Sequence, residues 1–415
     1  MGIQFFLALL CCIALPTLLS RILRVHKIFP LVFVQLLLGL SLRLSGGGDW
    51  LKSHGIDLLH GPLGDSLHGL GLLGISLLIA LSGSEAAPQR GTRGAWRFIP
   101  ISVAGFGGTC AVGTALGYAL AARHPDLLGA HAGPWTFAFA IGLALSVTAL
   151  PVLAAVLRET GLNGTPLGNL ATNCSMLDEV WMWLGLAILL SLSSASAASP
   201  ATMMLALAAC LSVLLLVRAV LRHWLDRAER SSADLILLCL SVIFVAAIAT
   251  DSIGLHPMLG AFLAGATLPR EALAGWREAL NQLSQILLLP FFFITAGMQL
   301  QLDVHDAGFY ELTAAVTLTA VLCKFGSVSL TARRLGWPWR DSLTLGSLMQ
   351  CKGLMELVAI GILLDADVIG SAVFSALATM ALFSTFVTAP TLRFLLRGPR
   401  GQGVAPAANG LTGAP

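Results

Sequence analysis

Two adjacent carboxylates, Asp178 and Glu179, lie inside an apolar stretch that is long enough to cross a lipid bilayer. A charged side chain at membrane depth costs roughly 2.5 to 3.5 kcal/mol even on the lenient insertion scale. Two neighbouring carboxylates at this depth therefore need a partner, a water-filled cavity or a proton. Because such groups are typical of ion and proton pathways, the pair predicts an ion-binding or proton-binding site.

Lys324 lies near the middle of another apolar stretch. A lysine this deep cannot easily extend to the membrane surface, so it must pair with a carboxylate or lose its proton. Asp178 or Glu179 is the natural partner. The alternative is a static buried ion pair that serves packing alone.

A proline interrupts the apolar stretch that precedes the carboxylates, at Pro151. Proline has no amide hydrogen, and its ring clashes with the carbonyl four residues back, here that of Val147. We therefore predict a broken helix whose freed backbone oxygen lies beside the hydroxyls of Ser146 and Thr148, suited to a cation. A merely kinked helix, with the hydroxyls bonded back to their own helix, is the alternative.

A second charged pair, Lys352 and Glu356, lies in an apolar stretch that also contains Gly353. The spacing of four residues predicts that the two side chains share one helix face and neutralise each other. This stretch and that of Pro151 occupy matching places in the two halves of the chain, and such paired breaks are the best sequence pointer to a transport site. A purely structural ion pair is the alternative.

The elements that carry these residues are predicted to be membrane-spanning helices. Of the 415 residues 56% are hydrophobic and only 11% are charged, whereas soluble domains have about 25% charged residues. The composition excludes a large soluble enzyme, and no metal-ligand spacing indicates a metal site or cofactor. We predict about thirteen spans: 2–20, 28–42, 70–85, 98–122, 134–157, 167–192, 201–221, 234–249, 256–268, 286–300, 310–332, 343–364 and 369–395.

The distribution of basic residues predicts the orientation of these spans. With the N-terminus outside, 19 of the 24 lysines and arginines are assigned to the cytoplasmic side, as loop residues or at the ends of spans. Three are assigned to the outside, and two, Lys324 and Lys352, lie deep within spans. Cytoplasmic loops of membrane proteins carry such an excess. We therefore expect a multi-pass protein of the inner (cytoplasmic) membrane with its C-terminus in the cytoplasm.

Thirteen spans divide into six, one and six, which predicts two repeats of inverted topology, as in many secondary transporters. We expect a transmembrane exchanger domain over 1–397, with repeats at about 1–195 and 234–397 and a linker helix at 201–221. The stretch 398–415 is rich in Gly, Pro and Ala and predicts a short disordered cytoplasmic tail.

Several motifs resemble the Kef-like branch of the monovalent cation:proton antiporters. They are ALSVTALPVLAAVLR at 144–158, LDEVWMW at 177–183, GAFLAG at 260–265, LPFFFITAG at 289–297, Lys324-Phe325-Gly326 and KGLMEL at 352–357. The resemblance implies a thirteen-helix homodimer in which two broken helices cross and a core domain moves against a dimerisation scaffold. It places the family's acidic pair at Asp178 and Glu179, its deep lysine at Lys324 and its helix-crossing polar residue at Thr148. The second acidic residue is usually aspartate, so Glu179 departs from the pattern.

These observations favour a secondary transporter that exchanges Na⁺ or K⁺ for H⁺ across the membrane by alternating access. Its expected partners are these ions, the lipid bilayer and a second copy of the chain, with no nucleic acid. The alternatives are an intramembrane enzyme that uses the carboxylates as acid and base, and an ion sensor that does not transport. Two stoichiometries are open, depending on whether Asp178 exchanges a proton together with Glu179 or stays locked to Lys324.

Overall fold

The computed structural model describes residues 2–22, 31–54, 56–86, 98–193, 200–225, 232–253, 256–269, 273, 275–300 and 307–396. In this part of the chain the regular structure is helical, apart from one isolated bridge between Leu128 and Ile369. The predicted tail at 398–415 and several of the loop arginines lie outside the described residues.

Sixteen helices are named here in chain order. They are α1 Gly2–Ile22, α2 Leu31–Leu44, α3 Gly47–Ser53, α4 Gly61–Ala86, α5 Phe98–Arg123, α6 Pro134–Ser146, α7 Leu150–Glu159, α8 Pro166–Leu192, α9 Pro200–Leu225, α10 Ser232–Ser252, α11 Pro257–Thr267, α12 Arg277–Gln299, α13 Ala307–Arg334, α14 Trp339–Leu348, α15 Leu354–Asp365 and α16 Ser371–Leu396. Two helices contain a π-helical turn, at Val103–Gly107 in α5 and at Leu283–Leu288 in α12.

Each predicted span coincides with one helix, or with a pair of helices at the fifth and twelfth positions. Eight helices of the described part are long and apolar enough to cross a membrane on their own, namely α1, α4, α5, α8, α10, α12, α13 and α16. The all-helical membrane fold is thus confirmed, while the count of thirteen crossings stays a prediction. The third span begins earlier than predicted, because helix α4 extends back to Gly61 through a less apolar first turn.

Small residues allow two helix pairs to pack at backbone distance. A methyl group on Gly265 of α11 would lie 1.9 Å from the carbonyl oxygen of Ala80 in α4, and one on Gly297 of α12 would lie 2.1 Å from that of Leu36 in α2. Membrane helices associate through such close contacts because lipid offers no hydrophobic driving force between them. These glycines therefore fix the pairs α4–α11 and α2–α12.

Arginines donate hydrogen bonds to backbone carbonyls at the C-terminal ends of three helices. Arg43 donates to Met298 of α12 at 3.0 Å, Arg218 to Thr267 of α11 at 2.8 Å, and Arg340 to Leu395 of α16 at 2.8 Å. The last carbonyls of a helix lack partners within the helix, and a cation there also offsets the negative end of its dipole. Each arginine thus links two segments that are distant in sequence.

A short antiparallel pairing joins the loop after α5 to the loop after α15. Gly129 donates from its amide to the carbonyl of Val368 at 3.2 Å, and Gly370 to that of Leu127 at 3.2 Å. Eight predicted spans lie between these loops, and an even number of crossings returns the chain to the same side of the membrane. The pairing consequently holds together the loop that precedes α6 and the loop that follows α15.

Candidate functional site

Both predicted helix breaks are present, and they cross each other. Helix α6 ends at Ser146 and α7 begins at Leu150, while α14 ends at Leu348 and α15 begins at Leu354. The backbone at Val147 is extended, with φ −67° and ψ 146°, so the alternative of a merely kinked helix is wrong.

The two breaks are bonded to one another through backbone and hydroxyl groups. The Ala149 amide donates to the Cys351 carbonyl at 2.8 Å. The Thr148 hydroxyl, whose single hydrogen is shared with Asp178, lies 3.1 Å from the Met349 carbonyl. Irregular backbone at membrane depth is tolerated where protein satisfies its polar groups, as it does here.

Opposite charges meet the two helix ends of the first break. At the C-terminal end of α6, Lys352 donates to the carbonyls of Leu145 at 3.0 Å, Val147 at 3.3 Å and Ala144 at 3.4 Å, and Lys324 donates to that of Ser146. At the N-terminal end of α7, the Leu150 amide donates to Glu179 at 3.2 Å. The cations therefore face the negative end of a helix dipole and the carboxylate faces a positive end.

Asp178 is held on both of its oxygens. Its Oδ1 accepts a hydrogen bond from Ser102 at 2.7 Å, and its Oδ2 accepts from Thr148 at 2.9 Å and from Lys324 at 2.9 Å. Asp178 and Lys324 are both fully buried. The predicted partnership of the deep lysine is confirmed, and of the two candidate carboxylates Asp178 is the one in the ion pair.

Glu179 lies beside Asp178 in a different set of contacts. It is fully buried and accepts hydrogen bonds from the Leu150 amide and from the Ser82 hydroxyl on α4. One turn earlier on α8, the Ser175 hydroxyl donates to the Thr148 carbonyl at 3.3 Å. The Ser82 hydroxyl thus contacts Glu179, and the Ser175 hydroxyl with the Thr148 carbonyl lies one helical turn away along α8. Oxygen donors of this kind suit a hard cation.

Ser146 and Pro151 contribute differently from the prediction. The Ser146 hydroxyl bonds back to the Gly142 carbonyl in its own helix at 2.6 Å, so only the Ser146 carbonyl reaches the site, where it accepts from Lys324. Pro151 falls in the first turn of α7, where the lack of an amide hydrogen carries no penalty.

Lys352 and Glu356 form the predicted ion pair, at 3.3 Å, and both are fully buried. The expectation that they share one helix face is wrong, because Lys352 precedes the first residue of α15. The backbone of Lys352 is held by Thr385 of α16, whose hydroxyl accepts from its amide at 3.0 Å and donates to its carbonyl at 2.6 Å.

Four residues of the site were missed from sequence: Ser82, Ser102, Ser175 and Thr385. Ser175 precedes Glu179 by four residues, and this helical spacing is a signal that could have found it. Ser82, Ser102 and Thr385 lie on other helices, and serine and threonine in membrane helices commonly bond to their own helix instead. Ser102 directly precedes the π-helical turn of α5, a feature that frequently accompanies functional sites.

Comparison with known proteins agrees with this geometry. Residues 5–398 match the family described as "Sodium/hydrogen exchanger, transmembrane". The chain belongs to this exchanger family. Because it is a family of transporters, the enzyme alternative is set aside.

Two relatives of the chain have names of the same kind as the family. Cation/H(+) antiporter 18 of Arabidopsis thaliana is 30% identical over 344 residues, which cover 80% of the chain and 42% of the relative. K(+)/H(+) antiporter 1 of Saccharomyces cerevisiae is 32% identical over 266 residues, which cover 60% of the chain and 30% of the relative. The chain thus spans less than half the length of either one.

A solved structure shares the fold of the chain. The sodium proton antiporter MjNhaP1 from Methanocaldococcus jannaschii superposes with a TM-score of 0.59 over 95% of each chain, at 14% sequence identity. At this identity the likeness establishes the fold alone.

Proposed function

We propose that the protein exchanges a monovalent cation, Na⁺ or K⁺, for H⁺ by alternating access across the cytoplasmic membrane. The observation that carries the proposal is the crossing of two broken helices over a fully buried acidic pair. Unwound backbone supplies polar groups to an ion at membrane depth, and inverted-repeat transporters bind their ions at such crossings.

Glu179 is the proposed carboxylate for which cation and proton compete. The Ser82 hydroxyl contacts it, and the Ser175 hydroxyl bonds to the Thr148 carbonyl one helical turn away. We propose that these oxygens complete the coordination of a cation that has shed its water. A proton neutralises the same carboxylate when no cation is bound. Mutually exclusive loading of one buried carboxylate is the simplest basis for exchange, because the site is then never left charged and dry.

Asp178 and Lys324 are proposed to hold the shape of the site. Their ion pair links α8 to α13, and the Lys324 contact with Ser146 links both to the end of α6. The crossing, together with α5, α8, α13 and α16, is proposed to move as one body against the pairs α2–α12 and α4–α11. The domain boundaries and the homodimer remain part of this proposal.

Cation identity is left to experiment, since the family description names sodium and the yeast relative's name gives potassium. Purified protein in liposomes that contain a pH-sensitive dye is challenged with NaCl, KCl or choline chloride. We expect NaCl or KCl to cause a proton flux and choline to cause none. An ion sensor that does not transport would bind the cation without moving protons.

Glu179→Gln is expected to lower this proton flux at least a hundredfold, while the protein still inserts and elutes as the wild type does. Glu159→Gln, at the exposed end of α7, is the matched control and should exchange normally. Normal exchange by Glu179→Gln would exclude Glu179 as the ion-binding carboxylate.

The proposed orientation places the N-terminus outside and the C-terminus in the cytoplasm. The contacts of Arg43, Arg218 and Arg340 support the predicted assignment of segments to shared sides of the membrane, since each joins two segments assigned to one side. The choice of which side is cytoplasmic rests on the distribution of basic residues. Reporter fusions after Gly398 and within the loop at Arg227 are both expected to read cytoplasmic. A periplasmic reading at either site would overturn the predicted orientation.

A further inference from the structure

Glu356 is a buried carboxylate that the proposed exchange does not yet use. Its Oε1 lies 3.3 Å from the Lys352 ammonium. Its Oε2 is buried and has no hydrogen-bond donor within the part of the chain that the structure describes. An ionised carboxylate prefers donors on both oxygens, whereas a protonated one supplies its own hydrogen at one of them.

Lys352 does not depend on Glu356 for its hydrogen bonds. Its ammonium has three hydrogens, and three carbonyls at the end of α6 accept from it at 3.0 to 3.4 Å. That helix end carries roughly half a negative charge. If Glu356 becomes neutral, Lys352 therefore keeps both its acceptors and a compensating field.

Asp178 offers the opposite case and is poorly suited to accept a proton. Lys324, Thr148 and Ser102 together supply donors to both of its oxygens. Protonation would place a hydrogen against one of these donors and leave Lys324 with less compensation. Of the two carboxylates in the fully buried ion pairs, Glu356 is thus the one with an oxygen that can accept a proton.

The charged groups that act on Glu356 are few. Lys352 lies on its own segment, Lys324 lies on α13, and Asp178 of α8 acts in turn on Lys352. Helices α6 and α16 pack against α15, and their described residues contain a single charged one, Arg393, near the far end of α16. Among the described residues, the charged groups that act directly on Glu356 are therefore the two lysines of the crossing.

We propose that Glu356 is a second proton-binding carboxylate of the transport cycle, so that the protein carries two protons against one monovalent cation. One proton converts Glu179 to the neutral acid and the other converts Glu356, and both leave on the side from which the cation enters. Each cycle then moves one net positive charge. This inference rests on the proposed exchange and specifies where its second proton binds.

The ratio of protons to cations tests the inference. In proteoliposomes with a set cation gradient, the pH gradient at which net flux stops gives the ratio. We expect a ratio of two for the wild type and for Asp365→Asn, an exposed carboxylate at the far end of α15. We expect a ratio of one for Glu356→Gln.

Two further variants keep the test decisive if Glu356→Gln folds poorly. Lys352→Gln/Glu356→Gln removes the pair without changing its net charge and should also give a ratio of one. Glu356→Asp keeps an ionisable group and should give a ratio of two.

Several outcomes would overturn the inference. A wild-type ratio of one is the first, and a ratio of two in Glu356→Gln is the second, whether or not Lys352→Gln then gives one. Loss of all exchange in every Glu356 variant is the third. A wild type that exchanges no cation for protons would instead overturn the proposed function itself.

Discussion

The crossing contains two buried lysines that face the same helix end but differ in how their carboxylate partners are hydrogen-bonded. Lys324 shares Asp178 with two hydroxyl donors, and the carboxylate is saturated on both oxygens. Among the described residues, Lys352 is the one donor to Glu356, and the second oxygen of that carboxylate has none. The comparison indicates that a carboxylate in an ion pair at membrane depth can stay ionised or take up a proton, according to how completely its oxygens are hydrogen-bonded.

The largest expected effect separates the two lysines by stability. Lys324→Met leaves Asp178 buried, ionised and without its cation, and breaking such a pair costs about 3 to 5 kcal/mol. Lys352→Met should cost less, about 1 to 3 kcal/mol, the ordinary range for a buried substitution, because Glu356 can take up a proton. Thermal unfolding of the purified protein in detergent measures both.

Lys324→Met/Asp178→Asn is the control for this comparison, since it removes both charges and should recover much of the lost stability. Equal destabilisation by the two lysine variants would contradict the distinction between a carboxylate that stays ionised and one that takes up a proton.

An intermediate effect is expected from the serines on either side of the break. Ser175→Ala removes a hydroxyl beside Glu179, and we expect the apparent cation affinity to fall about fivefold to tenfold, in keeping with one lost hydrogen bond. Ser146→Ala should leave that affinity unchanged, because the Ser146 hydroxyl bonds back to the Gly142 carbonyl of its own helix and not to the acidic pair. The cation dependence of the proton flux distinguishes the two variants. Equal losses of affinity would contradict the assignment of the Ser175 hydroxyl, but not the Ser146 hydroxyl, to the cation site.

The smallest effect is expected from the proline. Pro151→Ala restores one amide hydrogen, but the amides of Ala149 and Leu150 are already committed to Cys351 and Glu179. The break should therefore persist, and exchange should stay within about twofold of the wild type, since alanine is as well suited as proline to a first helical turn. A large loss of cation affinity would mean that the proline alone keeps the helix open.

Much of this molecule was predictable from sequence, because apolar length, charge depth and proline chemistry act locally. A charge at membrane depth is costly wherever the chain folds, so the need of Asp178, Glu179 and Lys324 for a partner or a proton follows from their position in apolar stretches. The two breaks were likewise found from Pro151 and from the matching stretch at Lys352.

Tertiary structure decided what each of these groups contacts. Pro151 explains only one missing helical hydrogen bond. Two others are missing because the Ala149 and Leu150 amides bond to groups from elsewhere in the chain. The choice of Asp178 over Glu179 as the partner of Lys324, and the donors on α4 and α5, depend on how α8 packs between its neighbours. Sequence therefore determined which groups must be neutralised at membrane depth, and packing decided which neighbour neutralises each, because hydrogen bonds between helices depend on distances that no local pattern specifies.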